Sequence, residues 1–287
     1  MPLEDDFSDI IKKARNGLGL SVDELAEAAK IEPREVGSLE RGQRTPTVGE
    51  VESIARVLSL HPKPLVDIAQ GHWMPAISPA FVAQGEVGVE TVMGDVGGYA
   101  VKGYIVYDDA AKEAVFVDTA YNAEAMLHAL MRRNLRLKAV CLTHGHTDHS
   151  DGLEDILAYE SAPVFLGRQD EGLLAWHPSR RHLNDPAEGQ TIHVGRLTIR
   201  CLQTPGHTPG GICYRVEGLS GPVCFVGDTL FAGSIGRSNP FGLYRQHLQS
   251  VHQTVLRLPE STVLLPGHGP ATTVTEELVH NPFAEAS

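Results

Sequence analysis

Between residues 143 and 149 the chain reads Thr-His-Gly-His-Thr-Asp-His, so three imidazoles and a carboxylate fall within six positions, 144 to 149. Crowding these groups costs solvation and repulsion unless a positive charge draws them together. A divalent metal ion supplies that charge, because imidazole nitrogen and carboxylate oxygen are among its preferred ligands. On a loop, His144 and His146 would turn to one side while Asp148 and His149 swing to another, so one short segment would serve two metals.

Three later stretches repeat the theme. They are Thr204 to Gly211 around His207, Phe225 to Phe231 around Asp228, and Leu264 to Pro270 around His268. Each places its His or Asp after a hydrophobic, β-prone run and beside glycines that permit tight turns and close backbone approach. The histidine run itself follows Leu137 to Leu142, an apolar stretch that predicts a buried strand. Four such loops at strand ends predict one site assembled at the rim of a sheet.

The elements that would carry these loops begin after residue 80. Tyr104 to Tyr107 and Ala114 to Val117 predict a hairpin, followed by a helix over Ala123 to Arg133 and the strand containing Val140. Short strands follow at Val164, Leu197, Ile212, Val223 and Val263, with a helix over Tyr244 to Leu256 before the last. Residues 7 to 70 differ in texture, and predict short helices at Phe7 to Arg15, Ser21 to Lys30, Pro33 to Glu40, Val48 to Leu60 and Pro64 to Ala69. Ser21 with Glu24 three positions on is a helix-start signal, Pro33 suits a first turn, and Gly42 suits a helix end. The expected division is a helical domain over 1–71, a Pro-containing linker over 72–79 in which Trp73 packs on one domain, and a larger domain over 80–287.

Composition narrows the class. A hydrophobic fraction of 42% and a charged fraction of 21% in 287 residues are those of a water-soluble globular chain. No apolar run reaches membrane-spanning length, and the acidic start Met1 to Asp6 lacks a secretory pattern, so a cytoplasmic protein is expected. The cysteines at 141, 201, 213 and 224 lie in strand-like runs without a CxxC pair and are expected to be buried reduced thiols. The net charge of −12 argues against nonspecific attraction to nucleic acid or anionic membrane. A homo-oligomer is expected.

The motif series HxHxDH, His, Asp, His resembles the metallo-β-lactamase fold superfamily over roughly residues 78 to 283. The run Leu230 to Ser238 and the ending His280 to Phe283 resemble its glyoxalase II-like (hydroxyacylglutathione hydrolase-like) branch. The resemblance implies an α+β fold, an αββα sandwich preceded here by a small all-α domain. It also implies two divalent ions, zinc first, with iron or manganese as other options. His144, His146 and His207 would hold one, and Asp148, His149 and His268 the second. Asp228 would bridge both, and Asp148 and Asp228 would take part in catalysis. The implied chemistry is hydrolysis of a small thioester or ester by a metal-bridging hydroxide. Asp118 matches a family aspartate that orients a ligand histidine. Arg237, Tyr244 and His177 are candidates for the substrate mouth, whereas His61, His72, His128, His193, His247 and His252 read as surface residues.

Two departures bear on substrate. The chain runs about twenty residues past His268, so the helical C-terminal domain that supplies much of the glutathione site in glyoxalase II would be missing. Asn239 stands where related sequences often carry Asp. A persulfide dioxygenase with a single iron, a lactonase, and a DNA-binding regulator whose metal domain senses a metabolite are the alternatives. Residues 20 to 60 resemble the phage-repressor type of helix-turn-helix, in which Pro33 to Glu40 would enter the major groove. Arg34, Ser38, Arg41 and Arg44 are then the candidate DNA contacts. Over residues 1–71, nine Lys and Arg against thirteen Asp and Glu give a net charge of −4, a poor balance for phosphate binding.

Overall fold

The computed structural model describes residues 1–76 and 85–284. Five helices come first: α1 (Phe7–Leu18), α2 (Val22–Ala29), α3 (Pro33–Leu39), α4 (Val48–Val57) and α5 (Pro62–Ala69). Their starts are written in short polar residues. Ser21 Oγ accepts from the Glu24 backbone N–H at 3.2 Å while the Glu24 carboxylate accepts from the Ser21 N–H at 2.7 Å, and Thr47 with Glu50 repeats the exchange. Apolar residues on the inner stripes, among them Ile10, Ile11, Leu25, Leu39, Ile54 and Leu65, are essentially inaccessible to solvent.

Two six-stranded sheets follow. The first runs in chain order through β1 (Val87–Val96), β2 (Tyr99–Asp108), β3 (Glu113–Val117), β4 (Arg136–Cys141), β5 (Val164–Phe165) and β6 (Leu183–Asn184). The second comprises β7 (Thr191–Val194), β8 (Leu197–Gln203), β9 (Ile212–Glu217), β10 (Val223–Gly227), β11 (Val263–Pro266) and β12 (Thr272–Thr273), again with sequential neighbours. Their facing sides interdigitate, with Tyr104, Val115 and Cys141 on one sheet packed among Ile199, Tyr214 and Phe225 on the other. α6 (Ala123–Arg133) and α8 (Leu153–Tyr159) cover the outer face of the first sheet, and α9 (Tyr244–Gln253) and α10 (Val274–His280) cover the second. Between α6 and α8 lies the single-turn helix α7 (Thr147–Ser150). The αββα sandwich and the helical N-terminal region are therefore both present.

The expected hairpin is β2–β3, with Tyr104 opposite Val117. The longer β1–β2 hairpin was not expected, because Gly94, Asp95 and Gly103 interrupt its apolar alternation; its signal was Gly97-Gly98 between two β-capable runs. The helix expected to reach Leu256 ends at Gln253 and passes into a 3₁₀ turn. All four cysteines are buried and unbridged. Among the described residues no helix is long and apolar enough to cross a membrane.

The helical region is not a bead on a string. One continuous apolar cluster contains Ile11, Ala14 and Leu65 together with Val226, Leu230, Tyr244 and Val251 of the sandwich side. α1 reaches Tyr244 at Gly17, where a Cβ would fall 2.3 Å from the ring. The His61 N–H donates to Pro282 O at 2.8 Å. Trp73 stacks on His280 with ring centroids 5.0 Å apart and donates to Glu276 at 3.1 Å. Of the linker expected over 72–79, residues 77–79 lie outside the described residues, as does residue 80, the expected start of the larger domain.

Candidate metal centre

The four strand ends converge as the sequence implies. β4 delivers His144 and His146, β8 leads to His207, β10 to Asp228 and β11 to His268. The segment expected to be a plain loop turns helical after His146, because α7 places Asp148 and His149 in one tight turn. Ligand atoms of His144, His146 and His207 lie within 4.8 Å of one another, and so do those of Asp148, His149 and His268. A third group, His144, His149 and Asp228, joins the two. His207 Nε2 is 3.1 Å from His146 Nδ1, and His149 Nε2 is 3.3 Å from His268 Nε2. Asp228 spans the halves: Oδ1 is 3.3 Å from His149 Nε2, while Oδ2 is 3.6 Å from His207 Nε2 and 3.8 Å from His268 Nε2.

Three of the outer nitrogens face groups that only accept and the fourth faces a hydroxyl whose proton is already given away, so the tautomers follow. His207 Nδ1–H donates to Arg237 O and His268 Nδ1–H to Ala100 O, each at 2.8 Å. His149 Nδ1–H donates to Asp118 Oδ2 at 2.8 Å. The Thr143 hydroxyl gives its proton to Asp118, which leaves a lone pair for His144 Nδ1–H at 3.1 Å. Every Nε2 of these four histidines therefore faces inward, where in the neutral imidazole it offers the lone pair a metal needs.

Electrostatics describe a cavity shaped for cations. Burial, reinforced by neighbouring imidazoles, holds His144 well below the usual histidine range, and burial pushes His207 down to about 3. Burial also opposes charge on His149 and His268, but Asp228 with Asp118 or Asp148 outweighs it and raises both. Asp228 is held well below the carboxylate range despite burial, by His149 and His268. His144 Nε2 and Asp228 Oδ1 are buried without a hydrogen-bond partner. A buried orphan acceptor costs about 1–3 kcal/mol. Two of them pointing into one nest of ligands fit divalent metal ions. Gly267 completes the cradle, since a Cβ there would lie 2.6 Å from Asp228 Oδ1 and 2.3 Å from His149 Cε1.

Asp118 is placed where the resemblance implies, accepting from Thr143 N at 2.7 Å, the Thr143 hydroxyl at 2.8 Å and His149. Its own φ of 55° is left-handed, a conformation Asp tolerates better than most residues. Asp170 was not singled out from sequence, yet it is wholly buried and ties two ligand loops together. It accepts from Gly145 N, the Thr208 hydroxyl at 2.6 Å and Gly210 N at 2.7 Å. Nothing in the surrounding Gly-Arg-Gln-Asp run marks it.

Two expectations are corrected. Tyr244 does not line the substrate mouth: its ring is 3% exposed in the core shared with α1, where burying the aromatic face outweighs exposing one hydroxyl. His247 is not a surface residue. It is fully buried, donates from Nε2 to Thr229 O at 2.8 Å, accepts from Ser238 at Nδ1, and is pushed down to about 4 by burial. The stripe Tyr244, His247, Ser250, Val251 on α9 was the available signal. Arg237 and His177 are exposed. On the helical region Arg34 and Arg41 are exposed, Ser38 is half-buried, and Arg44 pairs with both Glu35 and Glu50.

Comparisons with known proteins agree with this geometry. The family model of the metallo-beta-lactamase superfamily matches residues 96–268, and a helix-turn-helix model matches residues 11–65. An uncharacterized protein of Mycobacterium leprae is 32% identical over 206 residues, 63% of this chain and 92% of its own. The hydroxyacylglutathione hydrolase GloC of Haemophilus influenzae is 32% identical over 197 residues, 62% of this chain and 90% of its own. The crystal structure of the BLEG-1 B3 metallo-beta-lactamase aligns at 31% identity with a TM-score of 0.60, covering 69% of this chain and 100% of that one. This chain belongs to the metallo-beta-lactamase superfamily and carries a helix-turn-helix region at its N-terminal side.

Proposed function

We propose that the protein is a dinuclear metallohydrolase acting on a small thioester or ester. The observation that carries this reading is the doubled ligand set. Asp148, His149 and His268 form a complete second group beside His144, His146 and His207, which a single-iron dioxygenase would not need. Two dications held there would supply a hydroxide-strength nucleophile at neutral pH and a Lewis acid for the carbonyl. The chain's own residues fix the geometry of that pair. Asp118 orients His149, Arg237 O orients His207, Ala100 O orients His268, and Asp228 faces both halves. The likeness to a hydroxyacylglutathione hydrolase supports a thioester as the first substrate to try.

The test is metal analysis of protein purified without added metal, joined to turnover of S-lactoylglutathione and simple thioesters. Two ions per chain with thioester cleavage are expected. One iron per chain, with oxygen uptake on glutathione persulfide, would replace this reading with the dioxygenase.

For the helix-turn-helix region we propose a packing role over operator reading. Arg44 is engaged by Glu35 and Glu50, Arg15 by Glu40, and these pairs neutralise cations that phosphate would need. Fluorescence polarisation with mixed-sequence duplex DNA over a salt series is expected to show no salt-dependent binding. A steep fall in affinity with added salt would restore the regulator reading.

A further inference from the structure

We infer that Lys13, a residue of the helical region, is a positioning residue for the metal centre, so that metal occupancy and docking of that region are coupled. The reading rests on the metallohydrolase assignment only for what the centre is used for. Lys13 reaches out of α1 to the segment following Asp228. Its Nζ donates to Ile235 O at 3.0 Å, pairs with Asp5, and stands 5.2 Å from the centre of the Phe231 ring. Both members of the ion pair are largely buried, with side-chain exposures of 15% and 8%.

The far side of that segment holds ligands. Phe231 meets His268 edge-on with ring centroids 5.9 Å apart. Two residues past Ile235, Arg237 O receives the His207 Nδ1–H, and the Asn239 N–H donates to His207 O at 2.8 Å. Phe231 and Ser234 exchange both backbone hydrogen bonds at 3.0 Å, so the turn between them is stiff. Further along the same face the main chain of Glu4 packs on Gly269, the neighbour of His268, where a Cβ would fall 3.0 Å from Glu4 N. Residues of the N-terminal region thus abut the segments that follow Asp228 and His268, and the first of these segments in turn holds His207 through Arg237 O and the Asn239 N–H.

The physical consequence is specific to charge and reach. Removing the ammonium leaves Asp5 buried without its partner and Ile235 O with only the longer bond from the Ser234 hydroxyl at 3.4 Å, and the segment gains freedom on the side facing away from the metals. Groups hydrogen-bonded directly to a metal ligand typically cost 10–100-fold in metal affinity when removed, and Lys13, which acts on His207 and His268 only through the 231–237 segment, is expected at the low end of that range. By linkage, whatever metal gains from a docked α1, docking gains from metal.

The test is zinc affinity of the full chain by competition with a chromophoric chelator. Lys13→Met is expected to weaken at least one zinc by about 10-fold, and Lys13→Arg by no more than about 3-fold. Lys63→Met removes an exposed pair with Asp67 in the same region and is expected to change nothing. Zinc loading of the unsubstituted chain is expected to slow amide exchange in residues 10–17, and to do so less in Lys13→Met. A folded Lys13→Met chain with unchanged zinc affinity would overturn the inference, as would exchange in α1 that ignores zinc. Should Lys13→Met fail to fold, Asp5→Asn decides, with weakened zinc binding expected and unchanged binding counting against. Because none of these readouts uses a substrate, inactivity on thioesters would remove the proposed reaction and leave this coupling standing.

Discussion

Asp228→Asn is expected to lower thioester or ester turnover by at least ~10³-fold and to take the protein from two bound metals to one or fewer. The substitution keeps the shape of the side chain and removes its charge and one acceptor oxygen. That oxygen matters because Asp228 Oδ1 faces His149 while Oδ2 faces His207 and His268, so one carboxylate touches both halves of the centre. The charge matters because Asp228 is the chief group that raises His149 and His268 against their burial. Kinetics beside elemental analysis of the same preparation check the expectation. Turnover within tenfold of the parent, at unchanged metal content, would mean that Asp228 does not join the two halves.

Asp118→Ala carries the second large effect, on affinity and on stability together. It strands three buried donors: the Thr143 amide, the Thr143 hydroxyl and His149 Nδ1–H. Each costs about 1–3 kcal/mol when left unpaired, so a loss of several kcal/mol and a lower Tm are expected. Alanine also pays more than aspartate for the left-handed backbone at this position. Zinc affinity is expected to fall 10–100-fold, since His149 loses the partner that fixes its tautomer. Asp118→Asn separates the two contributions. Its amide oxygen still suits Thr143 N–H and its backbone suits φ of 55°, but its NH₂ would face donors on the other side. Thermal melting of the metal-free chain and chelator competition for zinc are the measurements. A normal zinc affinity in both variants would reduce Asp118 to a loop staple.

How much of this was legible in the chain depended on the range of the interaction. His144, His146, Asp148 and His149 declare themselves within six residues, and His207, Asp228 and His268 each follow an apolar run with glycine beside it. The structure brings all seven together because parallel pairing of β3, β4 and β5 and of β10 and β11 sends those strand ends to one rim. Asp170 was silent, since its partners Gly145, Thr208 and Gly210 lie 25 to 40 positions away and its own surroundings look like any polar turn. Tyr244 and His247 were misplaced for a different reason. A polar group on a helix reads as surface until the helix is known to be covered on that side, and here α1 and the Asp228 loop do the covering. Beyond Trp73, the docking of the helical region had no local signal: a glycine in mid-helix at 17 is intelligible only once Tyr244 lies against it.

His146 and Asp148 are the half-buried members of the ligand cluster and Thr147 between them is exposed, whereas His144 and His149 are sealed beneath by Asp118 and Thr143. Among the described residues of this histidine run, the accessible side of the centre is therefore the one that carries His146, Thr147 and Asp148. A reactant and a scavenging chelator approaching from that side would compete for the same ligands, and a tight-fitting occupant should double as a guard against metal theft.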